Sequence, residues 1–67
     1  MMQLSVNGVD QEVPAGTSVA DLLDTLRVGL EGVAVAVNQT VVPRIDHPDH
    51  MLVPRDDIEI IQAVGGG

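Results

Sequence analysis

The sequence predicts an α+β fold in which one helix packs across one face of a mixed, five-stranded sheet. Three observations support this class: an Asn-Gly hairpin signature near the start, one amphipathic helical segment, and three strand-like runs after it. The predicted order is therefore β-β-α-β-β-β. The 67 residues suffice for one small domain, which we place at 1–64, followed by a glycine tail at 65–67.

A β-hairpin is predicted at the start of the chain. Apolar and polar residues alternate through residues 2–6 and 9–13, and Asn7-Gly8 lies between these two runs. This dipeptide favours a type I′ turn, because both central positions of that turn need a positive φ angle. Pro14 then ends the second strand, since proline cannot donate a backbone hydrogen bond to a neighbouring strand.

A single helix is predicted over residues 18–28. Ser18 is a good N-cap, and Asp21 places negative charge near the positive end of the helix dipole. Gly29 is the expected C-terminal cap. Four apolar residues recur at the spacing of one buried helical face: Val19, Leu22, Leu23 and Leu26.

Three more strands are predicted at residues 33–37, 40–42 and 58–64, with a turn at Asn38-Gln39 between the first two. The first of these is apolar at every position and rich in Val, which is typical of a strand in the interior of a sheet. Side chains alternate between the two faces of a strand. In the last strand we therefore expect Ile58 and Ile60 to face the helix.

The loop at 44–57 contains both histidines of the chain, in the run Asp46-His47-Pro48-Asp49-His50. Histidine and carboxylate are ligand types that zinc uses. However, Pro48 breaks any helix that would align the two imidazoles, and no third strong ligand is near in the sequence, so we predict a solvated loop and no metal site. Three apolar side chains are expected to hold this loop to the body of the protein: Ile45, Met51 and Leu52.

The composition excludes several classes of function. Three basic and ten acidic residues give a net charge of −7. Nucleic acid and anionic membranes are therefore not expected partners, whereas a protein with a basic surface is. The chain has no Cys and no Lys, which excludes disulfides, thiol nucleophiles and Schiff bases. With no signal peptide or membrane span recognisable in the sequence, a cytoplasmic location is expected.

The run Gly65-Gly66-Gly67 follows the last strand without a polar linker. One interpretation is a frayed terminus. The other is a flexible arm that presents its own C-terminal carboxylate, because glycine has no Cβ, can thread a narrow channel and leaves the terminal carbonyl carbon accessible. Three extended residues would reach about 10 Å beyond the strand.

Five segments carry a resemblance to a known family: Val6-Asn7-Gly8, Gly16-Thr17-Ser18-Val19, Ala36-Val37-Asn38, Val42-Pro43-Arg44, and the closing run from Asp57-Ile58-Glu59-Ile60 to Val64-Gly65-Gly66-Gly67. With these segments the chain resembles, over essentially its whole length, the ThiS family of sulfur carriers in thiamin biosynthesis. The resemblance implies the ubiquitin-like β-grasp version of the predicted fold.

The resemblance also implies a reaction cycle at Gly67. An E1-like adenylating enzyme of the ThiF type uses ATP to convert the C-terminal carboxylate into an acyl-adenylate. Sulfur from a partner persulfide then replaces AMP and leaves a thiocarboxylate (1-thioglycine), which donates sulfur to a thiazole synthase of the ThiG type. Gly65 and Gly66 are expected to thread the partner's active site, although Gly65 is an additional glycine beside the family's Gly-Gly end. The chain is then a protein co-substrate with no bound cofactor, and not an enzyme.

Partners are expected to dock on the face of the last strand that points away from the helix. We assign Ile61, Ala63 and Val42 to this docking face, with Val41 as the alternative to Val42. Arg44 follows Pro43 in a family motif, and it either pairs with an acidic neighbour or contacts a partner.

Three other functions remain open from the sequence. The small subunit of molybdopterin synthase has a similar fold and the same Gly-Gly chemistry, but it would bind a large synthase subunit. A β-grasp interaction module with an inert tail would keep its function without Gly66 and Gly67. A ubiquitin-like modifier of other proteins is the third.

Overall fold

The computed structural model describes residues 1–28 and 32–62 of the chain. The elements follow in the order β1 (Met2–Val6), β2 (Val9–Val13), α1 (Val19–Thr25), β3 (Val33–Val37), β4 (Thr40–Val42), a 3₁₀ helix (Arg44–Asp46) and β5 (Asp57–Gln62). The predicted α+β class and element order are confirmed, and the bounds of β1 to β4 are those that the sequence predicts.

The five strands form one mixed sheet in the order β2-β1-β5-β3-β4. The β1–β2 and β3–β4 hairpins are antiparallel and each is closed by a two-residue turn. The last strand, β5, lies between these hairpins, parallel to β1 and antiparallel to β3. The strand that leads to the C-terminus is therefore at the centre of the sheet.

The hydrophobic core lies between α1 and one side of the sheet, which we call the inner face. Alternate residues of each strand point to this face, as in any pleated strand. The most deeply buried side chains are Leu4, Leu22, Leu23, Ile58, Val19 and Val35. Burial of one such aliphatic side chain contributes about 1.5–3 kcal/mol, so an entirely aliphatic core can hold this small domain together.

Ser18 is the N-cap of α1, as the sequence predicts, and it forms a capping box with Asp21. The Ser18 hydroxyl accepts a hydrogen bond from the Asp21 backbone N–H at 3.1 Å, and the Asp21 carboxylate accepts one from the Ser18 N–H at 3.2 Å. The next two backbone N–H groups donate to loop carbonyls, Val19 to His50 at 2.9 Å and Ala20 to His47 at 3.0 Å. The histidine loop thus satisfies N–H groups that a helix N-terminus leaves without partners.

The helix ends earlier than the predicted residue 28, with Leu26 as its C-cap. Arg27 takes the left-handed conformation, at a φ of 58°. Its N–H donates to the Asp24 carbonyl at 3.0 Å, and the Val28 N–H donates to the Leu23 carbonyl at 2.9 Å. These two bonds make a Schellman motif, in which Arg27 takes the place expected of glycine. Gly29, the predicted cap, lies outside the described residues.

The loop after β4 is more ordered than predicted. Of the three residues expected to hold it to the core, Leu52 is buried, but Ile45 and Met51 are 84% and 51% exposed. The Arg44–Asp46 3₁₀ helix directs Ile45 outward, and the backbone of Met51 forms a β-bridge with Ser18 instead. Within residues 1–28 and 32–62, no helix is long and apolar enough to cross a membrane.

Candidate functional site

The central strand β5 connects the core to the predicted functional tail. It begins at Asp57, one residue before the predicted start, and Gln62 is its last described residue. The predicted docking residue Ala63 and the glycines Gly65, Gly66 and Gly67 lie outside the described residues. The candidate site is therefore built from β5 and the surfaces beside it.

The side of the sheet opposite α1 carries an apolar surface, which we call the open face: Ala34, Ala36, Val41 and Ile61. In the register of the sheet, Ile61 is paired with Ala34, and Val41 is paired with Ala36. Ile61 is 59% exposed and Val41 is 69% exposed. These two large side chains lie on opposite sides of β3. The alanines of β3 are small, so the surface between Ile61 and Val41 is a shallow depression.

The prediction that Val42 belongs to the docking face is wrong. The alternative residue, Val41, is the one that points outward. Val42 is 5% exposed and is part of the core. Its partner across the hairpin is Val35, which points to the inner face. Adjacent residues of a strand point to opposite faces, so Val41 must point outward. Ile58 and Ile60 pack toward the helix as predicted, with Ile58 fully buried.

Acidic side chains extend the open face toward β2. Glu59 is paired with Ala36, and Asp57 and Asp10 are both paired with Ser5 across neighbouring strands. All three carboxylates are on exposed residues. The outer side of the sheet is thus apolar at β3 and β4 and acidic toward β1 and β2.

A turn asparagine holds β5 on its β1 side. Asn7 has a φ of 51°, and its backbone N–H donates to the Ile58 carbonyl at 2.8 Å. In a regular parallel ladder, the Ile60 N–H would next donate to the Asn7 backbone carbonyl. Here it donates to the Asn7 side-chain Oδ1 at 2.8 Å, and Asn7 Nδ2 donates to the Ile60 carbonyl at 3.3 Å.

A second asparagine makes the same substitution on the β3 side. Asn38, with a φ of 52°, donates its backbone N–H to the Asp57 carbonyl at 2.7 Å. The return bond from the Asp57 N–H goes to Asn38 Oδ1 at 2.9 Å, and Asn38 Nδ2 donates to the buried Asp56 carboxylate at 2.9 Å. Sequence reasoning identified both asparagines as turn residues but missed their contacts with β5. The available signal was that both two-residue turns begin with Asn.

His47 is buried, so the prediction of a solvated loop is wrong at this residue. Its side chain is 5% exposed, and Nε2 lies 3.1 Å from the Val42 carbonyl oxygen. His50 is half-buried. Across the part of the chain that the structure describes, no three His, Cys, Asp or Glu side chains are grouped to hold a metal ion. Arg44 is exposed at the start of the 3₁₀ helix.

Comparison with known proteins agrees with this architecture. The family model described as "ThiS family" matches residues 4–67. The sulfur carrier protein ThiS of Escherichia coli is 35% identical over 66 residues, which is 98% of this chain and 100% of that protein. The crystal structure of a thiamine biosynthesis protein (ThiS) from Geobacter metallireducens superposes with a TM-score of 0.85 at 32% identity, over 98% of this chain and 100% of that one.

A second kind of relative is longer. A thiazole synthase of Magnetococcus marinus is 36% identical over 66 residues, which is 98% of this chain but 20% of that protein. The thiazole synthase therefore contains a segment similar to this whole chain. The matched family model, the full-length relative and the similar structure together show that the chain belongs to the ThiS family, with its ubiquitin-like β-grasp fold.

Proposed function

We propose that this protein is the sulfur carrier of thiamin biosynthesis and that the carboxylate of Gly67 is its functional group. The observation that carries the proposal is the extent of the family match, which runs through the glycine tail to residue 67. The Escherichia coli relative, which this chain matches over its full length, is named a sulfur carrier protein and supports the proposal. The β-grasp domain then serves to present the tail from the central strand of its sheet.

The chemistry begins with activation of a poor electrophile. The Gly67 carboxylate attacks the α-phosphorus of ATP, pyrophosphate leaves, and an acyl-adenylate forms. The outer sulfur of a partner's persulfide then attacks the carbonyl carbon and expels AMP, which is a far better leaving group than oxide. A thiol cleaves the resulting acyl disulfide and leaves the thiocarboxylate. Glycine at the reacting position gives both attacking atoms an unhindered path.

The proposed role is that of a co-substrate, since catalysis belongs to the partners. An E1-like adenylating enzyme of the ThiF type binds ATP, a persulfide enzyme gives the sulfur, and a thiazole synthase of the ThiG type accepts it. The thiazole synthase that contains a ThiS-like segment supports this last partner, because two functions joined in one chain act on one process. We also propose a cytoplasmic location, where these partners and ATP are found.

Partners are proposed to dock on the open face, with Gly65 and Gly66 threaded into the active site. An apolar surface on and beside the strand that leads to the tail is suited to this, because burial of Ile61 and Val41 stabilises the complex without using the tail itself. Ala63 is proposed to extend the same surface by strand alternation from Ile61.

The intact mass of the protein tests the proposed chemistry. The full chain is incubated with ATP, a persulfide source and an E1-like enzyme of known activity on another sulfur carrier. We expect the C-terminal fragment to gain the mass difference between sulfur and oxygen and to become alkylatable, although the chain has no Cys.

A variant without Gly66 and Gly67 is the matched control and should remain unmodified. An unchanged mass in the full chain, with the enzyme active on its known carrier, contradicts the proposal. If the thiocarboxylate forms but a large molybdopterin synthase subunit accepts the sulfur in place of thiazole synthase, the pathway is the molybdenum cofactor's.

A further inference from the structure

The hydrogen bonds of Asn7 extend the sheet beyond the point where β1 ends. The β1–β5 ladder is paired up to Val6 and Ile58. One residue later the chain turns into the hairpin, yet β5 continues toward the tail. The Asn7 side chain supplies the next acceptor and the next donor of a parallel ladder, to the N–H and the carbonyl of Ile60. A side-chain amide thus stands in for a peptide group.

Without this contact, the end of β5 at Ile60 would be hydrogen-bonded to β3 alone. On the β3 side, pairing continues as far as Val33 and Gln62. On the β1 side, the pairing recorded among residues 1–28 and 32–62 stops at the Asn7 contact with Ile60. A terminal strand bound along one edge can pivot about that edge, whereas a strand bound along both edges has a fixed direction. The end of β5 is the point from which the tail must reach the partner.

We propose that Asn7 is a positioning residue for the C-terminal tail: its side chain fixes the end of β5 and so aims Gly67 at the adenylating centre of the docked partner. The inference rests on the proposed function at Gly67. When extended in the partner's active site, the seven residues after Ile60 span roughly 20–25 Å, so the position of Ile60 sets how far the Gly67 carboxylate can reach. Displacements of about 1 Å at a reacting atom can cost about a hundredfold in rate.

Asn38 provides an internal control. Its Oδ1 accepts from the N–H of Asp57, the first residue of β5, on the other side of the strand, and its Nδ2 donates to the carboxylate of Asp56, just before the strand. Both asparagines are exposed and have nearly the same φ. Replacement of either by glycine keeps the left-handed turn accessible and removes two side-chain hydrogen bonds. The two variants differ in which end of β5 is released.

Amide hydrogen exchange tests the contact without any partner. In Asn7→Gly we expect the Ile60 amide to exchange about tenfold faster, while the Asp57 amide keeps its protection; Asn38→Gly should give the reverse. Unchanged core amides, such as that of Leu4, show that both variants remain folded. An Ile60 amide that keeps full protection in Asn7→Gly would overturn the proposal.

Steady-state kinetics of adenylation test whether the Asn7 contact positions Gly67 for the reaction. With the E1-like enzyme and ATP, we expect Asn7→Gly to lower kcat about tenfold with little change in KM, because the open face still docks. Asn38→Gly should keep at least half of the wild-type kcat. Asn7→Asp retains an oxygen to accept from the Ile60 N–H but loses the donor, and should give an intermediate kcat.

Three outcomes contradict this inference and leave the proposed function standing. A wild-type kcat in Asn7→Gly, or an equal loss in the two glycine variants, shows that the end of β5 does not aim the tail. A raised KM at unchanged kcat shows that Asn7 contacts the partner directly. If the wild-type chain itself is not adenylated, the proposed function fails and the inference fails with it.

Discussion

At the scale of single residues, His47 shows how a polar side chain becomes part of the core. It lies in a run of polar residues with two aspartates and a second histidine. Yet its ring is buried, with Nε2 3.1 Å from the Val42 carbonyl oxygen. Its own carbonyl accepts from Ala20 at the start of α1. His47 therefore joins β4 to the helix.

We expect His47→Ala to lower the free energy of unfolding by about 2 kcal/mol, because it removes a packed ring and a buried hydrogen bond. His50→Ala is the matched control. His50 is half-buried and bonds the helix through its backbone carbonyl, so its substitution should cost less than half as much. Urea denaturation measures both values, and equal losses would contradict the structural role given to the His47 ring.

At the scale of elements, the hairpins are predictable because their information is local. Asn7-Gly8 and Asn38-Gln39 each join two strands directly, at positive φ angles. The bounds 2–6, 9–13, 33–37 and 40–42 all follow from such turns and from alternation. The end of α1 was less predictable, since Arg27 adopts a conformation that favours glycine and the Schellman bonds stabilise it there.

The open face is the element-scale feature on which docking is proposed to depend. We expect Ile61→Asp to raise KM for adenylation about tenfold, because a charge then replaces an apolar contact that must lose its water. Val9→Asp is the control: Val9 is also 59% exposed on a strand, but at the hairpin tip of β2. Both variants should unfold at similar temperatures, since both changes are on the surface.

The KM values of these two variants show whether the open face is the docking surface. A wild-type KM in Ile61→Asp, or the same rise in Val9→Asp, excludes the open face as the docking surface. Val41→Asp should behave like Ile61→Asp, because both residues lie on the same side of the sheet.

At the scale of the whole molecule, we expect charge to control how the carrier meets its partners. The net charge is −7 over 67 residues, and carboxylates flank the open face at Glu59, Asp57 and Asp10. A partner with a basic surface, as the composition predicts, would be attracted to this side of the sheet, and such attraction accelerates encounter more than it strengthens the final complex. We expect the same net charge to disfavour association with other acidic proteins.

We expect the association rate constant with the adenylating enzyme to fall about tenfold from low salt to roughly 0.5 M salt, with a much smaller change in the dissociation rate constant. Stopped-flow or surface-binding kinetics measure both. Glu59→Gln should weaken the salt dependence of the association rate constant. Asp24 is an exposed residue of α1 and is not on the open face, so Asp24→Gln should leave that dependence nearly unchanged. Association that is independent of salt argues against steering by the acidic surface.

The class, the element order, the hairpins, the capped start of α1 and the family can all be predicted from the amino-acid sequence. These depend on residues within a few positions of each other, on alternation and turn chemistry, or on motifs along the whole chain. Three features become visible in the folded protein alone: Val41 and not Val42 is exposed, His47 is buried, and Asn7 holds Ile60. Each depends on a neighbour from elsewhere in the fold: α1 covers one face of the sheet, and Asn7 and Ile60 are 53 residues apart in the chain. Such contacts exist only in the folded chain, so no local pattern specifies them.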